Sequence, residues 1–137
     1  MEQYKHTRKT IFRQAALLRL EEAEFLKLKY PSGCIYLGGY ALECMLKYHI
    51  CTYNNVLYLE ELNKPWLFSN RGHDLNLLLK ETKLYEPIFK SLFLSSSFNL
   101  ANKWRTSLRY NPNKGNLNEA RRFISAIIVL IEYLNSK

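Results

Sequence analysis

The chain has 137 residues, a formal net charge of +8, and 47% hydrophobic and 14% aromatic residues. This length fits one domain, and this composition is that of a chain that packs a core, which excludes an intrinsically disordered protein. The three cysteines form no CxxC pair, so we expect reduced, buried thiols in a cytoplasmic protein rather than a disulfide framework or a zinc site. The excess of positive charge favours a polyanion or an acidic protein as partner.

The first half of the chain predicts two long helices. Apolar residues at spacings of three and four predict a helix over about residues 10–30, which Pro31 ends. Pro31 also suits the first position of a second helix, over residues 31–53. That helix is apolar nearly all round, which places it centrally in a bundle, and Gly38-Gly39 predicts the close approach of a neighbouring backbone.

The second half predicts shorter helices separated by loops. After a turn of helix near residues 57–62, a third helix is expected over about 73–82. A fourth is expected over about 86–108, interrupted at 95–97, and a last one over 116–134, capped by Asn116. No strand-like alternation occurs. We therefore predict an all-α fold, an up-and-down antiparallel bundle of about five helices in a single domain of residues 1–137, with 1–9 as a frayed tail.

Neither a secretory signal nor a membrane span is predicted. The first nine residues are polar and lack a following apolar run. The most apolar stretch, residues 123–134, is shorter than the about 20 residues that a span needs. We expect instead that this stretch has more apolar surface than one bundle face requires, and that a dimer buries part of it.

Polar residues of the second helix share one face. They are spaced by four, three and four positions: Tyr36, Tyr40, Glu43 and Lys47. Glu43 and Lys47 have the orientation that favours an ion pair one turn apart.

His73 follows a glycine at the start of the third helix, so we place it at a rim of the bundle. An imidazole there could act as a general acid or base. Alternatively, it caps the helix or packs against the loop. His49, inside the apolar second helix, is predicted to be a hydrogen-bonded core residue, and His6 falls in the tail.

A basic cluster lies between residues 103 and 122, with Glu119 as its one acidic residue. It predicts a nucleic-acid or ligand surface, which includes Tyr110 and the cations Lys103, Arg105, Arg109, Lys114, Arg121 and Arg122. On a helix, Arg105 and Arg109 would lie one turn apart and suit a phosphate. The alternatives are a solvated helical face, or an Arg109–Glu43 ion pair inside the bundle.

Several enzyme classes are excluded by missing motifs. The chain has no GxxxxGK[ST], GxGxxG, HExxH or GxSxG sequence, and its carboxylates are not paired as a two-metal nuclease requires. We predict neither a metal site nor a cofactor.

Three segments resemble the HEPN family of small helical proteins. They are residues 36–47 (YLGGYALECMLK), residues 72–75 (GHDL), and Trp104 with residues 108–110 (LRY). The resemblance covers about residues 10–135. It implies an up-and-down bundle, often a homodimer, in prokaryotic toxin–antitoxin and antiviral defence systems. Active members resemble metal-independent endoribonucleases with an Arg-x(4–6)-His motif in each subunit.

No arginine of this chain is followed by a histidine at that spacing. We therefore expect a non-catalytic HEPN-like protein that binds RNA, a nucleotide or a partner protein, as a homodimer or in a complex with the product of a neighbouring gene. One alternative is a divergent ribonuclease in which His73 and Arg109 meet in space. The other is a structural dimer that docks an acidic partner.

Overall fold

The computed structural model describes residues 7–137, and within that range the fold is all-α, as predicted. Its α-helices are α1 (Lys9–Leu26), α2 (Pro31–Tyr53), α3 (Leu75–Lys80), α4 (Tyr85–Lys90), α5 (Leu92–Ala101) and α6 (Leu117–Asn135). Single turns of 3-10 helix at Leu59–Leu62, Pro65–Phe68, Asn70–His73 and Thr106–Tyr110 lie in the connections. The predicted number of helices was about five. The difference arises because the expected fourth helix is two helices, α4 and α5.

Helix α2 is the centre of the bundle and packs against α1, α6 and α3. Its bounds are those predicted, with Pro31 in the first turn. Leu42, Met45, Leu46 and Ile50 have no solvent exposure, because α2 is apolar on nearly every side and has neighbours on most of them. The predicted central position is confirmed.

Helix α1 is shorter than predicted, since it ends at Leu26 and a turn follows it. Tyr30 has φ −134° and ψ 72°, which is not helical. A proline disfavours the helical conformation of the residue before it, so Pro31 separates the two helices. At the other end, the backbone N–H of Lys9 donates to Leu57 O at 2.8 Å. Lys9, which was predicted to lie in the tail, is therefore part of the fold. Residues 1–6, with His6, lie outside the described range.

The break between α4 and α5 lies at Ser91 and not at the predicted serine run. The hydroxyl of Ser91 accepts from the backbone N–H of Leu94 at 3.2 Å and caps α5. Ser95 continues the helix and donates its hydroxyl to Leu92 O at 3.1 Å. Helix α5 ends at Ala101. The segment around Trp104 and Arg105 was predicted to be helical, and it is not.

Helix α6 begins as predicted, with Asn116 Oδ1 accepting from the backbone N–H of Glu119 at 3.0 Å. Its apolar residues are mostly covered by α2 and α5 of the same chain; Phe123, Ile124, Ile127, Leu130, Ile131 and Leu134 are buried. Ile128 and Val129 are partly exposed. Helix α6 therefore leaves less apolar surface in solvent than expected, and the dimer stays a prediction. Among the described residues, no helix has the length and apolar composition needed to cross a membrane.

His49 is the core histidine that the sequence predicted. Its Nε2 lies 2.7 Å from Leu134 O, and burial lowers the pKa of His49.

The cysteines are unpaired, and burial raises the pKa of each thiol to about 11, at Cys34, Cys44 and Cys51. Such thiols stay protonated at neutral pH and are poor nucleophiles.

Candidate ligand-binding site

The polar face of α2 changes from exposed to buried along the helix. Tyr36 and Tyr40 are partly exposed, whereas Glu43 is 4% and Lys47 8% exposed. Lys47 Nζ donates to Glu43 Oε2 at 2.8 Å, which confirms the predicted ion pair. A buried carboxylate needs such partners because desolvation disfavours its charge.

His73 is the second partner of Glu43. Its Nδ1 lies 2.9 Å from Glu43 Oε1, and 35% of its side chain is exposed. The two carboxylate oxygens of Glu43 are therefore engaged by two different residues. The alternative in which Arg109 pairs with Glu43 is wrong, because Lys47 and His73 occupy those positions. Helix capping by His73 is also wrong, since Asp74 Oδ1 accepts from the backbone N–H of Leu77 and caps α3.

Gly72 allows His73 to reach α2. A Cβ on this residue would overlap the backbone carbonyl of Leu67, so only glycine lets the turn at Asn70–His73 pack so closely on the turn at Pro65–Phe68. The glycine that precedes the histidine thus has a positioning role.

Tyr40 connects His73 to two further aromatic residues, Tyr36 and Trp104. Its ring centre lies 6.0 Å from that of His73, 4.9 Å from Trp104 and 5.0 Å from Tyr36, each in an edge-to-face arrangement. Such contacts fix ring orientations beyond what burial alone achieves. The four rings form a continuous aromatic strip along α2.

Trp104 rests directly on the backbone of α2. Its Nε1 donates to Tyr36 O at 3.1 Å, and a Cβ on Gly39 would overlap the indole. Gly38 instead faces the side chains of Phe123 and Ile124, both 3.3 Å from an ideal Cβ. The two glycines do permit a close approach, although side chains make it and not the backbone that was predicted.

Arg109 is exposed and lies beside Tyr36 of the aromatic strip. It lies in the turn Thr106–Tyr110, with its Cζ 4.9 Å from the Tyr110 ring centre. The hydroxyls of Tyr110 and Tyr36 beside it raise the pKa of Arg109. Burial, and then the Tyr36 hydroxyl, raise the pKa of Tyr40, while Arg109 acts in the opposite direction. Arg109 therefore lies near Tyr36 and Tyr40.

A groove of about 470 Å³ opens beside Arg109, and we call it the Arg109 groove. It lies between the start of α2 and the loop before α6, and its walls include Tyr30, Ser32, Tyr36, Leu108, Arg109 and Lys114. Lys114 Nζ lies 5.6 Å from the Tyr30 ring centre. None of the described residues that line this groove is acidic, so its electrostatic potential favours an anion.

The loop before α6 forms one wall of the Arg109 groove and is fixed to α2 through its backbone. Lys114 O accepts from the backbone N–H of Ser32 at 2.7 Å, which ties the loop to the first turn of α2. Gly115 follows with φ +93°, and a Cβ there would overlap Ser32. The sequence predicted a loop at this place but gave no sign that it folds back on α2, nor that Tyr30 and Ser32 belong to the site.

The rest of the basic cluster lies elsewhere. Arg105 donates to Asn102 O at 2.8 Å and to Trp104 O at 2.7 Å, so its guanidinium is bound to its own loop. The predicted pairing of Arg105 with Arg109, one helical turn apart, is therefore wrong. Lys103, Arg105 and Arg122 line a smaller groove that also contains Glu119. Arg121 and Arg122, both on α6, border a groove between α5 and α6. Of the predicted cluster, the structure gathers Arg109, Tyr110 and Lys114 and separates the others from them.

Within the described residues, no group of three His, Cys, Asp or Glu side chains is arranged to hold a metal ion. Comparisons of the chain with models of known protein families, with curated proteins and with solved structures found no match. The resemblance to the HEPN family therefore stays a prediction.

Proposed function

We propose that this chain binds single-stranded RNA in the Arg109 groove, without cleaving it, as a HEPN-like component of a bacterial defence or toxin–antitoxin system. The observation that supports this most directly is the exposed Arg109 guanidinium, surrounded by tyrosine side chains in a groove without acidic residues. The bacterial setting is inferred from the resemblance to the HEPN family.

The chemistry of the groove suits a nucleotide unit. A guanidinium that is not held by a carboxylate keeps its donors available for phosphate oxygens, and Lys114 adds a second positive charge. Tyr30 and Tyr36 in the groove, and Tyr110 beside Arg109, offer ring faces or edges for a base, which is how proteins bind single strands with little sequence preference. The volume of about 470 Å³ is in the range of small-ligand sites.

The position of His73 argues against cleavage. Cleavage without a metal needs a base at the ribose 2′-hydroxyl and a cation at the same phosphate, both within hydrogen-bond distance. Here His73 contacts Glu43 and Tyr40, whereas Arg109 packs on Tyr110 and lies beside Tyr36. The histidine and the arginine thus have different neighbours in and around the strip.

The divergent ribonuclease is the second candidate, and one observation favours it. The buried carboxylate of Glu43 orients a partly exposed imidazole, which is how many general bases are held. In this candidate His73 would be the base and Arg109 the stabilising cation, and an RNA strand lying along the aromatic strip would have to reach both.

RNA binding can be tested by fluorescence anisotropy with a labelled single-stranded RNA. Arg109→Gln should weaken binding about tenfold, the effect of losing one charged hydrogen-bonded contact. The slope of log affinity against log salt should become smaller by about 0.7, the value for one phosphate contact. Arg121→Gln removes one charge from another surface and is the matched control. Equal losses for the two variants would mean that net charge, and not the groove, binds the RNA.

Cleavage is tested separately, with the same RNA in the presence of EDTA. We expect intact RNA with the wild-type protein. Cleavage that disappears in His73→Ala, while RNA binding persists, would replace the binding proposal with the ribonuclease. If the wild type neither binds nor cleaves RNA, the remaining alternative, a structural dimer that docks an acidic protein, accounts for the charge.

A further inference from the structure

The groove that Arg121 and Arg122 border has a volume of about 530 Å³, and among the described residues it shares no lining residue with the Arg109 groove. We call it the α5–α6 groove. Each helix contributes apolar walls and small side chains between them: Phe93, Ser96 and Leu100 belong to α5, and Ser125, Ala126 and Val129 belong to α6. Small side chains where two helices meet leave a depression that the two helices themselves do not fill.

The first turn of α5 presents large apolar side chains to solvent. Leu92 is 84% and Phe93 67% exposed, whereas Phe98 and Ala101 near the other end of α5 are buried and hold the helix in the bundle. Single apolar residues at a surface are ordinary, but an apolar patch that borders a depression usually marks an interaction surface. Phe93 is therefore available to a partner, and the fold does not depend on it.

The α5–α6 groove carries positive charge at one end. Arg121 and Arg122 are exposed, and among the described residues neither guanidinium has a hydrogen bond or an ion pair. Leu100 and Arg122 also border the smaller groove, whose lining has three cations and one carboxylate, that of Glu119. The Leu100 end of the α5–α6 groove is therefore basic, and its two arginines are available to an anionic group.

The opposite end of the groove is not basic. Val129 lies there, about two turns along α6 from Arg122, and the exposed Glu132 follows three residues later. A single strand of nucleic acid carries a phosphate at every nucleotide and would need cations along the whole groove. A ligand with its negative charge at one end and an apolar face beyond it matches this surface better.

We propose that the α5–α6 groove binds an amphipathic helix of a partner protein, with apolar residues on one face and carboxylates at the end that meets Arg121 and Arg122. The groove follows about seven residues of α5, or about 10 Å, which two turns of a helix span. The described residues form no sheet, so they offer no edge to which an extended peptide could add. An apolar helix face lying in a groove is a common mode of recognition. The proposal does not depend on RNA binding in the Arg109 groove.

Binding can be measured by fluorescence anisotropy with a labelled, designed helical peptide of about 14 residues, in which leucines form one face and three glutamates occupy the first turn. We expect a dissociation constant on the order of 50 micromolar, as suits a small interface. A second peptide with glutamine at those three positions should bind about tenfold more weakly, because it loses the attraction to the arginines. Failure of the glutamate peptide to bind at about 1 millimolar overturns the proposal.

A pair of charge variants locates the acidic end of the peptide. The double variant Arg121→Gln, Arg122→Gln should weaken binding of the glutamate peptide about tenfold and leave that of the glutamine peptide unchanged. The double variant Arg109→Gln, Lys114→Gln removes the same charge from the Arg109 groove and should change the binding of neither peptide. Equal weakening by the two double variants would mean that net charge attracts the peptide, which contradicts a site at the α5–α6 groove.

A pair of aromatic variants locates the apolar face of the peptide. Phe93→Ser should weaken binding of both peptides about tenfold, because it removes a large apolar contact. Phe25→Ser is the matched control, since Phe25 is 87% exposed on α1, and it should bind like the wild type. Thermal melts should be the same for both variants because both side chains are exposed. If Phe93→Ser folds and binds both peptides like the wild type, the α5–α6 groove is not the docking site.

Competition with single-stranded RNA tests the class of ligand. The RNA is added to the Arg109→Gln, Lys114→Gln variant with the glutamate peptide bound, and we expect the peptide to stay bound. Displacement of the peptide would show that the α5–α6 groove takes nucleic acid, and the proposal of a partner helix would then be wrong, whether or not RNA binds in the Arg109 groove of the wild type.

Discussion

The two ends of the polar face of α2 place their charged neighbours in opposite environments. At the buried end, Glu43 is bound by Lys47 and His73, and the contact with His73 joins α2 to the turn that precedes α3. At the exposed end, Tyr36 lies beside Arg109, whose charge faces a groove rather than a carboxylate. A charge that is buried and paired stabilises or specifies the fold, whereas one that is exposed without an opposite charge is available to a ligand.

The largest effect is expected at the buried end. Glu43→Ala leaves the buried Lys47 ammonium without its carboxylate and removes the partner of His73. Because breaking a buried ion pair strands a charge, we expect a loss of about 3 kcal/mol in the free energy of unfolding. Urea denaturation followed by circular dichroism measures it. A midpoint equal to that of the wild type would mean that Glu43 is not structural.

A smaller loss is expected where the aromatic strip rests on α2. Gly39→Ala places a methyl group in the volume of the Trp104 indole, and overpacking of this kind costs about 1–3 kcal/mol. Gly33→Ala is the matched control on the same helix, since its Cβ would meet Leu26 Cδ1 at 3.4 Å, an ordinary contact. There alanine should stabilise by up to about 1 kcal/mol. Tryptophan fluorescence and thermal melts compare the two, and similar melts would contradict the close Trp104 contact.

These residues also show how far sequence alone could reach. The bounds of α2, the Asn116 cap and the Glu43–Lys47 pair could all be predicted because each depends on residues within about one helical turn. The Glu43–His73 contact joins residues 30 positions apart, and nothing local to either indicates it. The path of the chain from residue 102 to residue 115 depends on Trp104 lying on Gly39, which is a tertiary contact. Helical spacing for Arg105 and Arg109 was therefore assumed wrongly.

The pH dependence of stability tests the burial of His49. Burial lowers the pKa of His49, so below pH about 6.5 the unfolded chain binds a proton there that the folded chain resists. Stability should therefore fall as the pH drops from about 6.5 toward the lowered pKa. In His49→Gln, which keeps a hydrogen-bond donor for Leu134 O, melting temperatures should fall less over the same range. Parallel curves for the two proteins would show that His49 does not titrate differently on folding.

The smallest effect on stability, and the most informative for function, is expected at the exposed end. Arg109→Gln removes a charge that the fold leaves in solvent, and substitutions of that kind change the free energy of unfolding by less than about 0.5 kcal/mol. The same variant should weaken RNA binding, while Glu43→Gln, which alters the buried end and keeps a similar shape, should destabilise the fold and leave the groove chemistry intact. Urea denaturation and RNA anisotropy on both variants therefore form a crossed experiment. If Arg109→Gln unfolds as easily as Glu43→Gln, Arg109 belongs to the structural network, and the groove loses its claim as the ligand site. If Arg109→Gln keeps both its stability and its RNA affinity, the charge of Arg109 is not what attracts the RNA.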